Sequence, residues 1–328
     1  MAHQITIIRL DETLAREMRA KVAAPHSGYR SVDEFVEVAI RNQLVLQNDP
    51  AAQEPATAGG REVLSSVEPL LARPTDKHAP VFAAPGESGV AISALTNRLS
   101  PLKIALRVAC NLASESDWPT IRSFHQAAAH CARLVGVRLR AEEERSGTRG
   151  AERRSTAFPC GDDERKALDR FIAHFTTAKR SGSAPGPLEI LGLVDLEDER
   201  LRLSADGWAL GIEASPLLGE CEGSTLSDAE RRVFLRRIAS SPGETNAIRE
   251  VLRIIKRAAG NQQRVDELVS LAHAEWTPTL AISHRAAIVG RTRELGLVDL
   301  KGRGVEAKLL LTAAGESWLK ERSAKEPA

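Results

Sequence analysis

The spacing of hydrophobic residues changes along the chain, and each spacing predicts a different element. Residues 4–10 hold closely spaced β-branched side chains, which is typical of a short β-strand. After Asp11, a candidate N-cap, apolar residues recur every four positions and predict a helix. A second helix is predicted after the Ser31–Glu34 capping box. One strand and two short helices cannot bury a core alone, so residues 1–48 are expected to form a homodimer by pairing their strands.

The first 46 residues resemble the ribbon-helix-helix (MetJ/Arc-type) DNA-binding family. The matching segments are Ile8–Glu12, Gly28–Phe35 and Ala39–Arg41. In that family two strands form an antiparallel ribbon that enters the major groove, and the second helix holds a phosphate at its N-terminus. The resemblance implies that Arg9 faces the bases and that Arg30 and Ser31 lie near the phosphate backbone.

The strand departs from the family pattern in its phase. With Leu10 pointing inward, Ile5 and Ile7 point outward beside Arg9, where family members usually carry polar side chains. A bulge would turn Thr6 to the groove instead. Alternatively, the ribbon contacts protein, or it reads thymine methyl groups through isoleucine. Thr6 and Arg9 are therefore the candidate base contacts, and a dimerisation module without DNA contact is the other interpretation.

Two further segments lack a regular hydrophobic period. Residues 49–98 are rich in Pro, Gly, Ala and Ser, which predicts a flexible linker, although Val63–Leu71 could form a short helix. Residues 141–157 are highly charged and contain glycine, and they are predicted to form a loop.

The hexapeptide Leu-Gly-Leu-Val-Asp-Leu occurs twice, at residues 191–196 and 295–300. Each copy leads into a charged turn, a second apolar-alternating run and a helix start that contains glycine, which predicts a structural duplication. The order helix, glycine, strand, turn, strand and helix resembles the end of a winged-helix domain. We therefore predict two winged-helix-like domains, 99–218 and 225–325, in a chain that is mainly α with small β elements.

The formal net charge is +1, from 45 basic and 44 acidic residues, but the charge is unevenly distributed. Residues 183–226 hold 2 basic and 9 acidic side chains, whereas residues 227–328 hold 18 and 13. The acidic turn at 197–199 opposes docking on a polyanion, so the first domain is predicted to be structural or protein-binding. In the second domain a basic helix and hairpin predict DNA contacts, and the alternative is an ordinary solvated face. The candidates are Arg285, Arg291, Lys301 and Arg303.

Chain length, targeting segments and cysteine spacing restrict the number of domains and the cellular compartment. The 328 residues fit two or three domains at roughly 100–200 residues each. The start of the chain does not have the order of a signal peptide, no stretch is apolar enough for a membrane span, and the four cysteines form no CxxC pair. A cytoplasmic protein with reduced thiols is expected.

Motifs for catalysis are absent from the sequence. It has no P-loop, no HExxH and no nucleophile elbow, so no enzyme activity, cofactor or metal is expected. The triplet Asp299, Glu306 and Lys308 mimics a nuclease motif, but such triplets are common by chance in charged hairpins. The sequence predicts a homodimeric, sequence-specific DNA-binding protein, most simply a transcriptional regulator. The alternative is a protein-binding adaptor or assembly subunit of a bacterial complex, with an antitoxin-like role combining both.

Overall fold

The computed structural model divides the chain into two units, Met1–Arg61 and Glu62–Ala328. The residues that it describes are 68–74, 89–94, 96–113, 117–160, 168, 171, 185–302 and 307–323. The first unit lies outside the described residues, and with it the predicted contacts Thr6, Arg9, Arg30 and Ser31. The second unit, called the body here, is mainly helical with two small antiparallel sheets, which confirms the predicted fold class at that level.

In its described residues, the first half of the body (residues 99–218) holds two long helices and a hairpin. Its elements are α1 (Ser100–Leu112), α2 (Ile121–Ser146), α3 (Pro187–Ile190), β1 (Val194–Glu197), β2 (Arg200–Leu203) and α4 (Ala205–Ile212). Helix α2 begins where the Thr120 hydroxyl accepts a hydrogen bond from the Ser123 N–H at 3.1 Å. Because Phe124, Ala128 and Cys131 recur at helical spacing, α2 buries one continuous apolar face.

The second half (residues 225–323) repeats this order after one additional helix. Its elements are α5 (Asp228–Ala239), α6 (Pro242–Arg257), α7 (Gln262–Ala272), α8 (Pro278–Glu294), β3 (Val298–Lys301), β4 (Lys308–Leu311) and α9 (Ala313–Ser323). Asn261 caps α7 through a 2.9 Å bond from the Arg264 N–H, and Thr277 caps α8. Such caps satisfy N–H groups that have no partner inside the helix.

The repeated hexapeptide occupies equivalent positions in the two halves. Gly192 and Gly296 adopt φ values of 60° and 72° directly after α3 and α8, a left-handed conformation that ends a helix. The hairpins then pair in the same register, with Val194 opposite Leu203 and Val298 opposite Leu311.

The helices that follow the two hairpins, α4 and α9, also begin in the same way. The Gly207 N–H is bonded to the Ser204 hydroxyl at 3.1 Å, and the Gly315 N–H to the Thr312 hydroxyl at 3.0 Å. A Cβ atom on either glycine would overlap the carbonyl oxygen of the leucine that precedes its hairpin. Both helices therefore need glycine at this position for the same steric reason.

Each hairpin also pairs with a single residue that lies just before a helix. Thr120 forms an isolated bridge with Arg200, and Asn261 forms one with Lys308. Thr120 also caps α2, and Asn261 also caps α7. The segment that pairs with the outer side of the hairpin is therefore duplicated together with the hairpin. Both halves therefore follow one order along the chain: a helix, the bridge residue, the helix that this residue caps, the end of a later helix, the hairpin and a final helix.

The two halves share one hydrophobic core, to which α5 contributes Phe234 and Ile238. A polar contact also joins them: the Glu294 carboxylate at the end of α8 accepts the Leu99 and Ser100 N–H groups at 2.5 and 3.0 Å and thereby caps α1. The structure thus packs the two halves together, and the division into domains at 99–218 and 225–325 remains a prediction.

A second buried polar network lies between α1, α4 and α5. Lys103 lies 3.3 Å from a carboxylate oxygen of Glu230, and Arg107 lies 2.7 Å from Glu220. Both cations also donate to carbonyl oxygens at the end of α4, including that of Gly211. Burial lowers the pKa of Lys103 to about 8. The network supplies hydrogen-bond donors to a helix end that would otherwise be buried without partners.

The end of the predicted flexible linker is packed rather than free. Residues 89–94 and 96–98, called the strap here, run across α6 and α8, and the Ile92 N–H donates to the buried Glu244 carboxylate at 2.9 Å. A Cβ atom on Gly243 or Gly290 would overlap the strap backbone. The prediction of a flexible linker is therefore wrong for these residues, because buried charged groups hold their main chain.

An earlier part of the linker is also fixed to the body. Glu68–Leu71 forms a 3₁₀ turn, so the predicted short helix is reduced to this turn within the described residues. Arg107 donates to the Leu71 carbonyl oxygen at 3.0 Å, and Asn111 to that of Leu70 at 2.8 Å. These bonds use backbone acceptors, which composition cannot reveal.

The predicted loop at 141–157 is in part a helix. Helix α2 continues to Ser146, and the following segment returns to it through the buried Glu143 carboxylate. That carboxylate accepts the Ser155 N–H at 3.0 Å and its hydroxyl at 2.6 Å. The loop prediction was wrong for residues 141–146, which extend α2 and bury Glu143, although Glu144, Arg145 and Arg149 remain exposed.

Candidate functional site

Arg291, a predicted DNA contact, is an interior residue. Its side chain is 1% exposed and lies 2.9 Å from the Glu244 carboxylate. It also donates to the carbonyl oxygens of Thr96 and Ile92 in the strap. Burial raises the pKa of the Glu244 carboxyl, and Arg291 opposes that shift. The prediction for Arg291 is corrected: the guanidinium fixes the strap and is not available to a phosphate.

Arg285 is engaged in a similar way. Two of its nitrogens donate to the Asp266 carboxylate at 2.7 and 2.9 Å, and the side chain is 13% exposed. This bidentate pair joins α7 to α8 and neutralises the arginine. The structure therefore assigns Arg285 a role in holding the two helices together, in contrast to the exposed position that the sequence predicted.

Lys301 is exposed at the end of β3, as expected for a surface contact, and Arg303 lies outside the described residues. The structure adds Lys308, which sits directly opposite Lys301 in the ladder and is also exposed. Asn261 bridges to Lys308 from the other side. Residues opposite one another share a face, so Lys301, Lys308 and Asn261 form one exposed line, called the lysine row here.

The equivalent line in the first hairpin is neutral. Glu197 sits opposite Arg200, which bridges to Thr120. Arg200 also pairs with Asp117 at 2.5 Å. The same three positions of the duplicated unit therefore hold two cations in the second half and an opposite-charge pair in the first.

A further arginine in the first hairpin is tied to its neighbours. Arg202 bonds to Asp195 at 2.7 Å and also contacts Glu197. The hydrogen bond to Asp195 raises the pKa of Arg202, with the nearby carboxylates adding to the shift. The basic groups on this hairpin are thus matched locally.

The two hairpins also differ at their tips. In the first, Asp198 and Glu199 both adopt positive φ, 48° and 60°, in a two-residue turn. The Ile121 N–H bonds to the Glu199 carbonyl oxygen at 2.8 Å and ties the turn to α2. In the second, Gly302 adopts φ 92°, and residues 302–307 separate β3 from β4. The backbone of the first tip is thus held against the start of α2.

The exposed surface of α8 differs from the basic helix that the sequence predicted. Its N-terminal half exposes only uncharged side chains: Thr279, Leu280, Ile282, Ser283 and Ala286. In the preceding turn Trp276 stacks on His273, with ring centroids 3.8 Å apart, and on His284 at 4.4 Å. Burial lowers the pKa of His284, and the positive charge of Arg291 adds to the shift.

No other chemistry competes with these surfaces within the described residues. They contain no group of His, Cys, Asp or Glu that could hold a metal ion, and no helix among them is long and apolar enough to cross a membrane. In the nuclease-like triplet, Asp299 faces Leu310 in the ladder, and Glu306 lies outside the described residues. The lysine row is therefore the candidate binding site of the body.

Sequence reasoning placed Lys308 only in the nuclease-like triplet and did not connect it with Lys301. Aligning the two hexapeptide copies and their following strands would have placed Lys308 opposite Lys301.

Comparison of the chain with family models, with curated proteins and with solved structures finds no significant match.

Proposed function

We propose that the chain is a homodimeric, sequence-specific DNA-binding protein, most simply a transcriptional regulator. The N-terminal module would dimerise and read the bases, as its resemblance to ribbon-helix-helix proteins implies. The lysine row of the body would add contacts to the phosphate backbone, because two exposed ammonium groups on one line can displace counterions from a duplex. The observation that supports a role of the body in DNA binding is the contrast between the lysine row and the neutral equivalent line of the first hairpin.

The arrangement of the body supports a winged-helix-like interpretation of the second half. Helix α6, bridge residue Asn261, helices α7 and α8, and the β3–β4 hairpin follow in the order of such a domain. In that arrangement the hairpin is the wing, which flanks the DNA-facing helix. The uncharged surface of α8 would leave phosphate contact to the hairpin and base contact to the N-terminal module.

The test is binding of the full chain to duplexes selected from a random pool. In the Lys301→Ala/Lys308→Ala variant we expect affinity to fall about tenfold and the slope of log K against log salt to flatten by about 1.8, since each neutralised phosphate contributes about 0.9. The matched control is Arg232→Ala/Arg253→Ala, which removes two exposed cations elsewhere on the body. Equal losses in both variants, or selection of no sequence, would contradict the proposal.

A second candidate function, a protein-binding adaptor or assembly subunit, is favoured by one observation. The exposed N-terminal half of α8 includes Leu280 and Ile282, which are 41% and 45% exposed, and no charged side chain is fully exposed there. Apolar residues on a helix are typical anchors for a groove in a partner protein. A stoichiometric partner whose binding is lost in Ile282→Glu, with no selected DNA sequence, would establish this function in place of the first.

A further inference from the structure

The tip of the first hairpin is acidic, whereas the facing pair Lys301 and Lys308 makes the second hairpin basic. The acidic tip, defined as Glu197, Asp198 and Glu199, is exposed. The lysine row is exposed as well. We propose that the lysine row of one copy of this chain docks on the acidic tip of the first hairpin of a second copy.

The first argument is the isolation of the lysine row. Lys301 and Lys308 face each other across the ladder, and like charges in this position destabilise a hairpin. Within the described residues neither ammonium group forms an ion pair, although Asp299 lies on the same strand. An arriving pair of carboxylates would remove the repulsion and would also supply the missing partners.

The second argument is the fixed geometry of the acidic tip. The turn is tied to the start of α2 through Ile121, and Arg200 is held by Asp117. Arg202 is held by Asp195 and Glu197, whereas Asp198 and Glu199 form no ion pair within the described residues. The carboxylates of the tip thus project from a backbone that needs little ordering on binding, which lowers the entropic cost of a contact.

The third argument is the charge of the surrounding chain. Residues 183–226 carry 2 basic and 9 acidic side chains, and residues 227–328 carry 18 and 13. Opposite charge on two regions of one chain steers the first hairpin of one copy toward the second hairpin of another. Within the described residues no ion pair joins the two hairpins of one chain, and a second copy presents the complementary charge. Two such contacts around a twofold axis would close the assembly.

One consequence rests on the proposed function. If the lysine row also holds phosphates, duplex DNA and the acidic tip compete for the same two ammonium groups, so self-association would limit DNA binding by the body. The docking itself does not depend on DNA binding.

The experiment uses a charge swap in the full chain. One variant, Lys301→Glu/Lys308→Glu, makes both hairpins acidic, and the other, Glu197→Lys/Glu199→Lys, makes both basic. Each is labelled with a different fluorophore, and pairing is measured by energy transfer at about 50 mM and about 500 mM salt. We expect each variant alone to self-associate about tenfold more weakly than the wild type at low salt, and their mixture to recover the association. High salt should weaken both the wild type and the mixture.

Pairing through the N-terminal module would not give a preference for the mixed pair. It would combine the labelled chains at random, whatever charges their hairpins carry. Arg232→Glu/Arg253→Glu is the control, since it changes the net charge as much as the first variant does but leaves the lysine row intact. Statistical mixing of the swapped variants, or an equal loss in the control, would overturn the docking. DNA affinity is measured separately on each variant, so loss of selected DNA binding with preserved heterotypic pairing would contradict only the proposed function.

Discussion

The two hairpins of the body have the same backbone plan and different surfaces. Both follow a left-handed glycine, pair in the same register and receive a bridge from a helix cap. The packing inside each unit is governed by leucines that recur in the repeat, whereas the exposed line changes from an opposite-charge pair to two lysines. The comparison teaches that the duplicated sequence specifies the fold, and that function is to be sought at the positions where the copies diverge.

The largest effect is expected on acid stability. Helices α2 and α7 both begin at a capping residue beside a hairpin, but they carry different residues one turn after that start. Burial lowers the pKa of His125 in α2 from 6.5 to about 4, while α7 carries the Asp266–Arg285 pair in that turn. Since the folded pKa is lower, the unfolded chain binds more protons between pH 6.5 and 4, and stability falls as the pH is lowered through this window. The loss should reach about 3 kcal/mol.

The measurement is urea unfolding of the full chain at pH 7 and pH 4.5. The His125→Gln variant should flatten the dependence on pH, because it removes the titrating group while keeping a polar side chain. An unchanged slope in this variant would show that the acid-sensitive group lies elsewhere.

The next test asks whether the two units are sterically equivalent. Gly207→Ala and Gly315→Ala should each destabilise the body by about 2 kcal/mol, because the added Cβ overlaps a leucine carbonyl oxygen and the repacking cost exceeds the roughly 1 kcal/mol that alanine gains in helix propensity.

Gly89→Ala is the control for these two variants, because a Cβ there meets no atom within 4 Å. Chemical denaturation would give the three free energies of unfolding. A large difference between Gly207→Ala and Gly315→Ala would break the equivalence of the two helix starts.

The smallest effect tests the exposed line directly. Lys301→Glu recreates the opposite-charge pair of the first hairpin and should stabilise the body by about 0.2–1 kcal/mol, since a cross-strand repulsion becomes an attraction. Glu197→Lys should destabilise it by a similar amount. Both shifts should shrink in high salt, and thermal unfolding at two salt concentrations would show whether they do.

The parts of the molecule that sequence reasoning predicted are those set by local rules. The repeated leucines and glycines located both hairpins. Arg291 was misplaced because its burial depends on Glu244 and the strap, which are distant in the sequence. A composition rich in proline and glycine likewise could not reveal that the strap backbone meets the two glycines Gly243 and Gly290.

The strap has a consequence for how the chain can be cut. A fragment that begins at residue 99 would keep every α-helix and strand in the described part of the body, yet it would lose the main-chain groups that Glu244 and Arg291 hold. Glu244 and Arg291 would keep each other but would lose the main-chain groups of Ile92 and Thr96. Because Arg107 and Asn111 also hold the carbonyl groups of Leu71 and Leu70, the smallest piece of this protein that can behave like the whole body begins at or before residue 68.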